Sequence, residues 1–195
     1  LVWFKQRDAN RDHGFFDTAR GTGKYVVSND SAAEATTTTM LTGFNSNGFT
    51  LGGGGAIVNN TSSEYVSWTF RKKAKFFDIV SYTGNNGTQT INHNLGSVPG
   101  MIIVKRLNDA GNWSIYHRSL GATKYVNLNQ NFQAYTNSSY WNDTAPTSTQ
   151  FSVGLTSSVD SAPYIAYLFA HHNSDGEFGP NSDQDVIKCG SFSTD

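Results

Sequence analysis

An all-β fold, two homologous β-sandwich or jelly-roll-like modules in tandem, is what this sequence predicts, on three observations. A pattern of roughly 100 residues runs through the chain twice, as in proteins that stack or string a scaffold unit. Short β-branched and aromatic runs alternate with polar positions between Gly, Pro, Asn and Ser clusters. The 195 residues include 19 Gly and 13% aromatic but only 15% charged residues. That is chain enough to bury a core, as one domain or two small ones.

The elements follow in order. Leu1-Val2-Trp3-Phe4-Lys5 is answered by Met101-Ile102-Ile103-Val104-Lys105, a β-branched strand after the turn cluster Gly96 to Gly100. Asp12 to Asp17 and Trp113-Ser114-Ile115-Tyr116-His117 are a matched pair of strands, the second alternating apolar with polar as a half-buried strand does. At the same offset Gly21, Lys24, Tyr25, Val26 and Asn29 fall on Gly121, Lys124, Tyr125, Val126 and Asn129. The only helix-like string, Ser31-Ala32-Ala33-Glu34-Ala35, is too short to stand alone. Phe49-Thr50-Leu51-Gly52 answers Phe151-Ser152-Val153-Gly154, and Tyr65 with Phe70 answers Tyr164 with Phe169. Ile91, His93 and Leu95 occupy one side of a strand, with Thr90, Asn92 and Asn94 on the other. Thr, Ser and Pro between Asp143 and Gln150 predict a loop. Val80-Ser81-Tyr82-Thr83 finds its match at Gly190-Ser191-Phe192-Ser193.

These matches place a partial first unit at 1–75, a complete unit at 76–172, and a joint with the opening strand of a further unit at 173–195. The segment reads as a piece of a longer polypeptide. Alternatively, its last strand closes onto the first unit, as in circular architectures. A net charge of −1 leaves no electrostatic footprint for nucleic acid. The one basic run, Arg71 to Lys75, sits at the joint between units and reads as a solvated linker. No apolar run approaches the ~20 residues that span a bilayer, so membrane insertion is not expected. Cys189 is the only cysteine and reads as a buried strand thiol.

Candidate chemistry is sparse. Asn173, Asp175, Glu177, Asp183 and Asp185 could supply oxygen ligands to Ca²⁺, although the spacing of a calcium loop is not met. The other reading is an acidic, solvated joint, with no cofactor. His171 and His172 are adjacent and so point to opposite faces of a strand, which opposes a shared transition-metal ion. Asp12, His13 and Asp17 lie close together, with His117 in the matching strand, yet no nucleophile elbow occurs and no acid–base pair recurs in both units. A non-enzymatic protein is therefore expected. Tyr135, Tyr140 and Trp141 stand in the Asn/Ser/Thr-rich stretch from Gln133 to Thr149, where no alternation would bury them. Rings beside amides and hydroxyls suit carbohydrate binding or a protein contact. Equally, Tyr140 and Trp141 can cap the sandwich end as a small satellite core.

The strings Phe77 to Asn85, Gly96 to Lys105, Asn112 to His117 and the joint Gly176 to Ser191 resemble a repeated all-β domain of bacteriophage tail-fibre-like and other virion surface proteins, many of them from marine phages. The resemblance covers nearly the whole chain and carries over no catalytic residue. It implies a virion surface protein made in the host cytoplasm that contributes to host attachment. A purely structural spacer or capsid decoration protein is the alternative, and a polysaccharide-degrading domain the third reading. Other virion proteins and further copies in a homo-oligomer are the implied partners, with a host-surface glycan or protein as ligand. Ser191-Phe192-Ser193, where the family tends to Ser-Tyr-Thr, and the basic joint at Arg71 to Lys75 are the two departures.

Overall fold

The computed structural model describes residues 1–159 and 161–194 and is all-β. Two units divide it: the first comprises Leu1–Arg71 with Leu107–Asn112, the second Lys72–Arg106 and the described residues from Trp113 onward. The division falls at Arg71 rather than at the expected Lys75. The expected joint at 173–195 groups with the second unit.

Unit 1 contains β1 (Val2–Gln6), β2 (His13–Phe16), β3 (Lys24–Val27), β4 (Ala35–Thr36), β5 (Leu41–Asn45), β6 (Gly48–Leu51) and β7 (Tyr65–Thr69). Its main sheet has the antiparallel order β4-β3-β2-β1-β7, and β5 pairs with β6 as a separate hairpin. Val2, Phe4, Phe16, Leu41 and Val58 form its buried cluster, with Phe49 of β6 meeting Phe4 edge-on at 5.0 Å. The string Ser31 to Ala35, the only helix-like one in the sequence, is not helical. Glu34 N–H instead donates to Leu107 O at 2.8 Å, and Ala35 opens β4.

Unit 2 contains β8 (Phe77–Thr83), β9 (Gln89–Asn92), β10 (Pro99–Arg106), β11 (Ser114–His117), β12 (Lys124–Asn127), β13 (Tyr135–Thr136), the short helix α1 (Ser138–Trp141), β14 (Gln150–Val153) and β15 (Pro163–Ala170). The main sheet runs β13-β12-β11-β10-β15-β8, and β14 pairs with β9. Ile91 of β9 and Phe151 and Val153 of β14 lie in one cluster with Ile102, Val104, Tyr116, Ala166 and Leu168 of the main sheet. The small sheet therefore covers one face of the large one, a two-layer arrangement with very unequal layers.

The repeat in the sequence is a repeat of hydrogen bonding. Val2 faces Phe16 and Thr69, while Ile102 faces Tyr116 and Leu168; Trp3 faces Phe15 and Trp68, while Ile103 faces Ile115 and Tyr167. Lys24 and Tyr25 face Thr36 and Ala35, as Lys124 and Tyr125 face Thr136 and Tyr135. Individual matched residues perform matched tasks. The side chain of Asn29 accepts the His13 N–H at 2.8 Å, and that of Asn129 accepts the Trp113 N–H at 2.9 Å. Gly21 and Gly121 both take the left-handed conformation, at φ 85° and 74°, which an L side chain resists. The Tyr65 hydroxyl accepts the N–H of Asn60 at 3.0 Å, the Tyr164 hydroxyl that of Val159 at 3.1 Å. Gly52 N–H reaches Met40 O, and Gly154 N–H reaches Tyr140 O.

Two differences separate the ladders. β8 lies outside β15, whereas no strand lies outside β7 among the described residues. And β6 and β14, matched in sequence, take different partners: the hairpin strand β5 in one case, β9 in the other. Trp113 to His117 is also buried more fully than its alternation predicts, because β11 is an interior strand and Trp113, Ile115 and Tyr116 are all covered.

Ile91, His93 and Leu95 are buried while Thr90, Asn92 and Asn94 are exposed, as their alternation requires. The His93 ring accepts the Leu95 N–H at Nδ1, 3.2 Å away, and its burial lowers the pKa below the usual 6.5. The folded chain thus takes up this proton at lower pH than the unfolded chain. The stability that neutral His93 provides is complete above about pH 6.5 and is lost as pH falls below it. Melting temperature is expected to drop on acidification through this range. In His93→Asn, whose amide oxygen keeps an acceptor near Nδ1, the His93 share of that slope should vanish; an unchanged slope in a scan of melting against pH refutes the assignment.

Candidate functional site

Both places that sequence reasoning marked lie in unit 2. The first is built on β12, β13 and α1. Pairing of β12 with β13 sets Tyr125 opposite Tyr135, their ring centroids 6.2 Å apart. Phe132, in the loop before β13, meets Tyr135 at 6.4 Å in an edge-on contact. Asn137 caps α1, its side chain accepting the Ser139 N–H at 2.9 Å, and this turn lays Tyr140 on Tyr125 at 3.6 Å between centroids. Burial, with the neighbouring Tyr125 hydroxyl, pushes the Tyr140 pKa up, so the phenol stays neutral. Phe132 is 60% exposed and Tyr135 42% exposed. The result is a ledge of four rings with two open to solvent.

Trp141 is not part of that ledge, which corrects its assignment as a ligand-binding residue. It is 1% exposed and meets Tyr116 edge-on at 6.0 Å inside the main cluster of unit 2. Adjacent residues on a helix differ in direction by about 100°, so Tyr140 and Trp141 cannot share a face. The sequence held the clue: the repeat position of Trp141 in unit 1 is Leu41, which is also 1% exposed. What the sequence reading missed on this ledge is Phe132 and Tyr125. Their counterparts in unit 1 are Ala32 and Tyr25, so only the comparison of Phe132 with Ala32 marks the surface as particular to unit 2.

The second place is a polar cleft of about 820 Å³ at the end of β15, lined by Lys75, Tyr116, Arg118, His171, Asp175 and Glu177 among others. The two histidines diverge, as adjacent residues should. His171 lies against the Arg118 guanidinium through Nε2 and accepts the Cys189 N–H at Nδ1, 3.1 Å away. Desolvation, then the Arg118 charge, lowers its pKa. His172 instead places Nε2 2.5 Å from Lys75 O and accepts the Val186 N–H at Nδ1, 2.9 Å away.

The acidic residues of the joint are engaged with backbone and lysine. Asp175 accepts the Asn173 N–H at 2.7 Å, and Asp185 accepts the Ser174 and Gly176 N–H groups at 2.8 and 2.9 Å. Those two backbone bonds hold the Asp185 carboxyl below its usual pKa. Glu177 pairs with Lys75, and Asp183 lines the cleft. Among the described residues no group of three or more His, Cys, Asp or Glu is arranged to hold a metal ion. The joint is thus an ordered loop, with Phe178 packed on Phe76 at 6.3 Å and on His172 at 5.5 Å. Cys189 is buried, as expected, and burial raises its thiol pKa, but it sits in an irregular segment and not in a strand.

The residues considered for hydrolysis have local structural partners. Asp12 accepts from the Asn29 side chain at 3.0 Å, Asp17 is ion-paired with Arg20 at 2.6 Å, and His117 accepts the Ser119 N–H at 3.2 Å. The basic run is likewise engaged: Lys72 pairs with the buried Asp78 at 2.7 Å. No helix among the described residues is long and apolar enough to cross a membrane. Residues 1–190 match the family described as a domain of unknown function, DUF7483. No curated protein and no solved structure matches the chain.

Proposed function

We propose that this chain, which belongs to the DUF7483 family, is a non-catalytic structural module of a bacteriophage virion surface protein. It serves as a spacer or decoration element that is made in the host cytoplasm and assembles with other virion proteins and further copies of itself. The observation that carries the structural reading is the ladder of five strands laid down twice in one register. A scaffold gains from such duplication, whereas one reaction centre does not require it. The burial of Trp141 favours the same reading, since the larger of the rings in the Gln133 to Thr149 stretch is spent on the core. The virion assignment is supported by the resemblance of Phe77 to Asn85, Gly96 to Lys105 and Asn112 to His117 to phage surface repeats. Mass spectrometry of purified particles from a phage encoding the chain is expected to find it at many copies per particle; its absence from particles would end the virion assignment.

One observation favours a contribution to host attachment as well. The Tyr125, Phe132, Tyr135 and Tyr140 ledge keeps two rings open, and Phe132 and Tyr135 replace the alanines Ala32 and Ala35 of unit 1. Exposed rings bordered by Asn, Ser and Thr pack on the C–H faces of sugars. On this reading, Tyr135→Ala reduces binding to host-surface glycans about tenfold while shifting folding stability by less than about 0.5 kcal/mol, as surface changes do. Glycan-array binding of wild type at the same level as Tyr135→Ala would remove this second reading and leave the structural one.

A further inference from the structure

We propose that the polar cleft at the end of β15 binds a sugar acid, the carboxylate of a uronate-type residue lying between the Arg118 guanidinium and Nε2 of His171. The cleft shares no lining residue with the aromatic ledge, so its ligand is independent of glycan binding there and of the virion assignment.

The start of β10 brings these two groups together. Its pairing with β15 shifts register between Pro99 and Met101, an irregularity of the kind that re-aims side chains at a strand's end. Gly100 stands in that shift. A Cβ there would come within 2.6 Å of the His171 Cβ and 2.8 Å of the Cys189 Cβ, so the bare backbone admits both neighbours. Arg118 N–H donates to Gly100 O at 2.9 Å, which holds the arginine at the same end of the sheet, and its guanidinium meets Nε2 of His171. Unit 1 has Thr18 at the position of Arg118, so the ladder itself does not require the charge.

The pair carries more donors than it can use. Nδ1 of His171 accepts the Cys189 N–H at 3.1 Å, so in the neutral ring the proton sits on Nε2, the nitrogen that meets Arg118. A guanidinium only donates. Two N–H groups therefore face each other, and an anionic oxygen set between them accepts from both. Among the described residues no carboxylate lies within ion-pair distance of Arg118: Glu177 pairs with Lys75, and Asp175 accepts the Asn173 N–H. The rest of the cleft sets the class of ligand. About 820 Å³ suits a small organic molecule rather than a bare anion. Ser148, Asn173, Ser174, Ser182 and Asp183 line it with hydroxyl, amide and carboxylate groups, which match the hydroxyls of a sugar ring. The acids come from the joint and the guanidinium from the end of β11, so a ligand charged at one end and hydroxylated at the other meets both.

Titration of the folded chain with glucuronate and with galacturonate, followed by calorimetry and by the ring resonances of His171, is expected to show saturable binding of at least one. Glucose and inorganic phosphate should each bind about tenfold more weakly or not at all, since each offers only half of the match. Arg118→Ala, a change at an exposed residue, should lower uronate affinity about tenfold or more by removing a charge-assisted contact. His171→Asn keeps an amide oxygen as acceptor for the Cys189 N–H and loses the Nε2 donor. The charged and titratable groups around that ring are Arg118, Lys188, Asp175 and the Cys189 thiol; burial, then Arg118, holds its pKa below 6.5, whereas a bound carboxylate favours the charged ring. Affinity in wild type should therefore rise as pH falls from about 8 to about 6, and His171→Asn should bind more weakly with a flat profile. Folded wild type that binds neither uronate overturns the proposal, as does binding that Arg118→Ala leaves unchanged. Glucose or phosphate bound as tightly as the uronates overturns the sugar-acid assignment, and a flat profile in wild type removes His171 from the site.

Discussion

Replacing Asp17 with Ala is expected to destabilise unit 1 by about 3–5 kcal/mol, the usual consequence of stripping one partner from a buried ion pair. The Asp17 side chain is fully buried and that of Arg20 is 3% exposed, with 2.6 Å between carboxylate and guanidinium. The carboxylate also accepts the Ala19 and Arg20 N–H groups at 3.0 Å, closing the turn that leads to Gly21. Arg20 reaches on to Phe15 O at 3.0 Å and Glu34 at 3.5 Å, so its charge cannot leave for solvent without breaking the β2 end. Unit 2 has His117 and Leu120 at these positions and builds the same ladder without the pair. The double change Asp17→His with Arg20→Leu should therefore recover a large part of what Asp17→Ala loses. Urea unfolding of both variants checks this, and a double variant as unstable as the single one would mean that the pair is needed for more than charge compensation.

Trp141→Ala is the second large effect, about 3–5 kcal/mol in unit 2, through the cavity that removal of a buried indole leaves. Trp141→Phe should be much milder. The indole N–H has no hydrogen-bond partner among the described residues, so a benzyl ring sacrifices area but no satisfied polar contact. A ligand-binding tryptophan would give the opposite profile, with near-native stability and lost binding. Denaturant midpoints for Trp141→Ala, Trp141→Phe and Tyr135→Ala, compared side by side, separate core from ledge. Equal, small effects of all three would refute the packing described for Trp141.

The strands were legible because each carries its own period and its own punctuation. Met101 to Lys105, Lys124 to Leu128 and Tyr164 to Phe169 are β-branched or aromatic runs between turn residues, and all three are strands. The repeat offset supplied more than propensity does: Asn29 with Asn129 and Gly21 with Gly121 are duplicated because a backbone donor and a left-handed turn must be satisfied twice. Illegible were features that depend on which segment is near. The β5–β6 hairpin is local, joined by a two-residue turn, but nothing local says that β14 pairs with β9, and Trp141 turns inward from a loop-like composition that only its match to Leu41 betrays. The same is true of the joint, whose acids read as solvated because their turn-closing bonds to Asn173, Ser174 and Gly176 depend on backbone geometry. Arg118 and His171, 53 positions apart in sequence, meet only because β11 and β15 flank β10.

The different partners of β6 and β14 also set the order in which the two small sheets can form. In unit 1, Asn45 faces Gly48 across a turn of two residues, so β5 and β6 zip from a local start. In unit 2, Asn92 and Gln150 are 58 positions apart, so β9 and β14 meet only by closing that long loop. Closing the longer loop costs on the order of 2–3 kcal/mol more chain entropy, which only the assembled β10–β13 segment can lower by shortening the span beforehand. One small sheet is therefore a seed for its unit and the other is a seal, laid over a sheet that already exists.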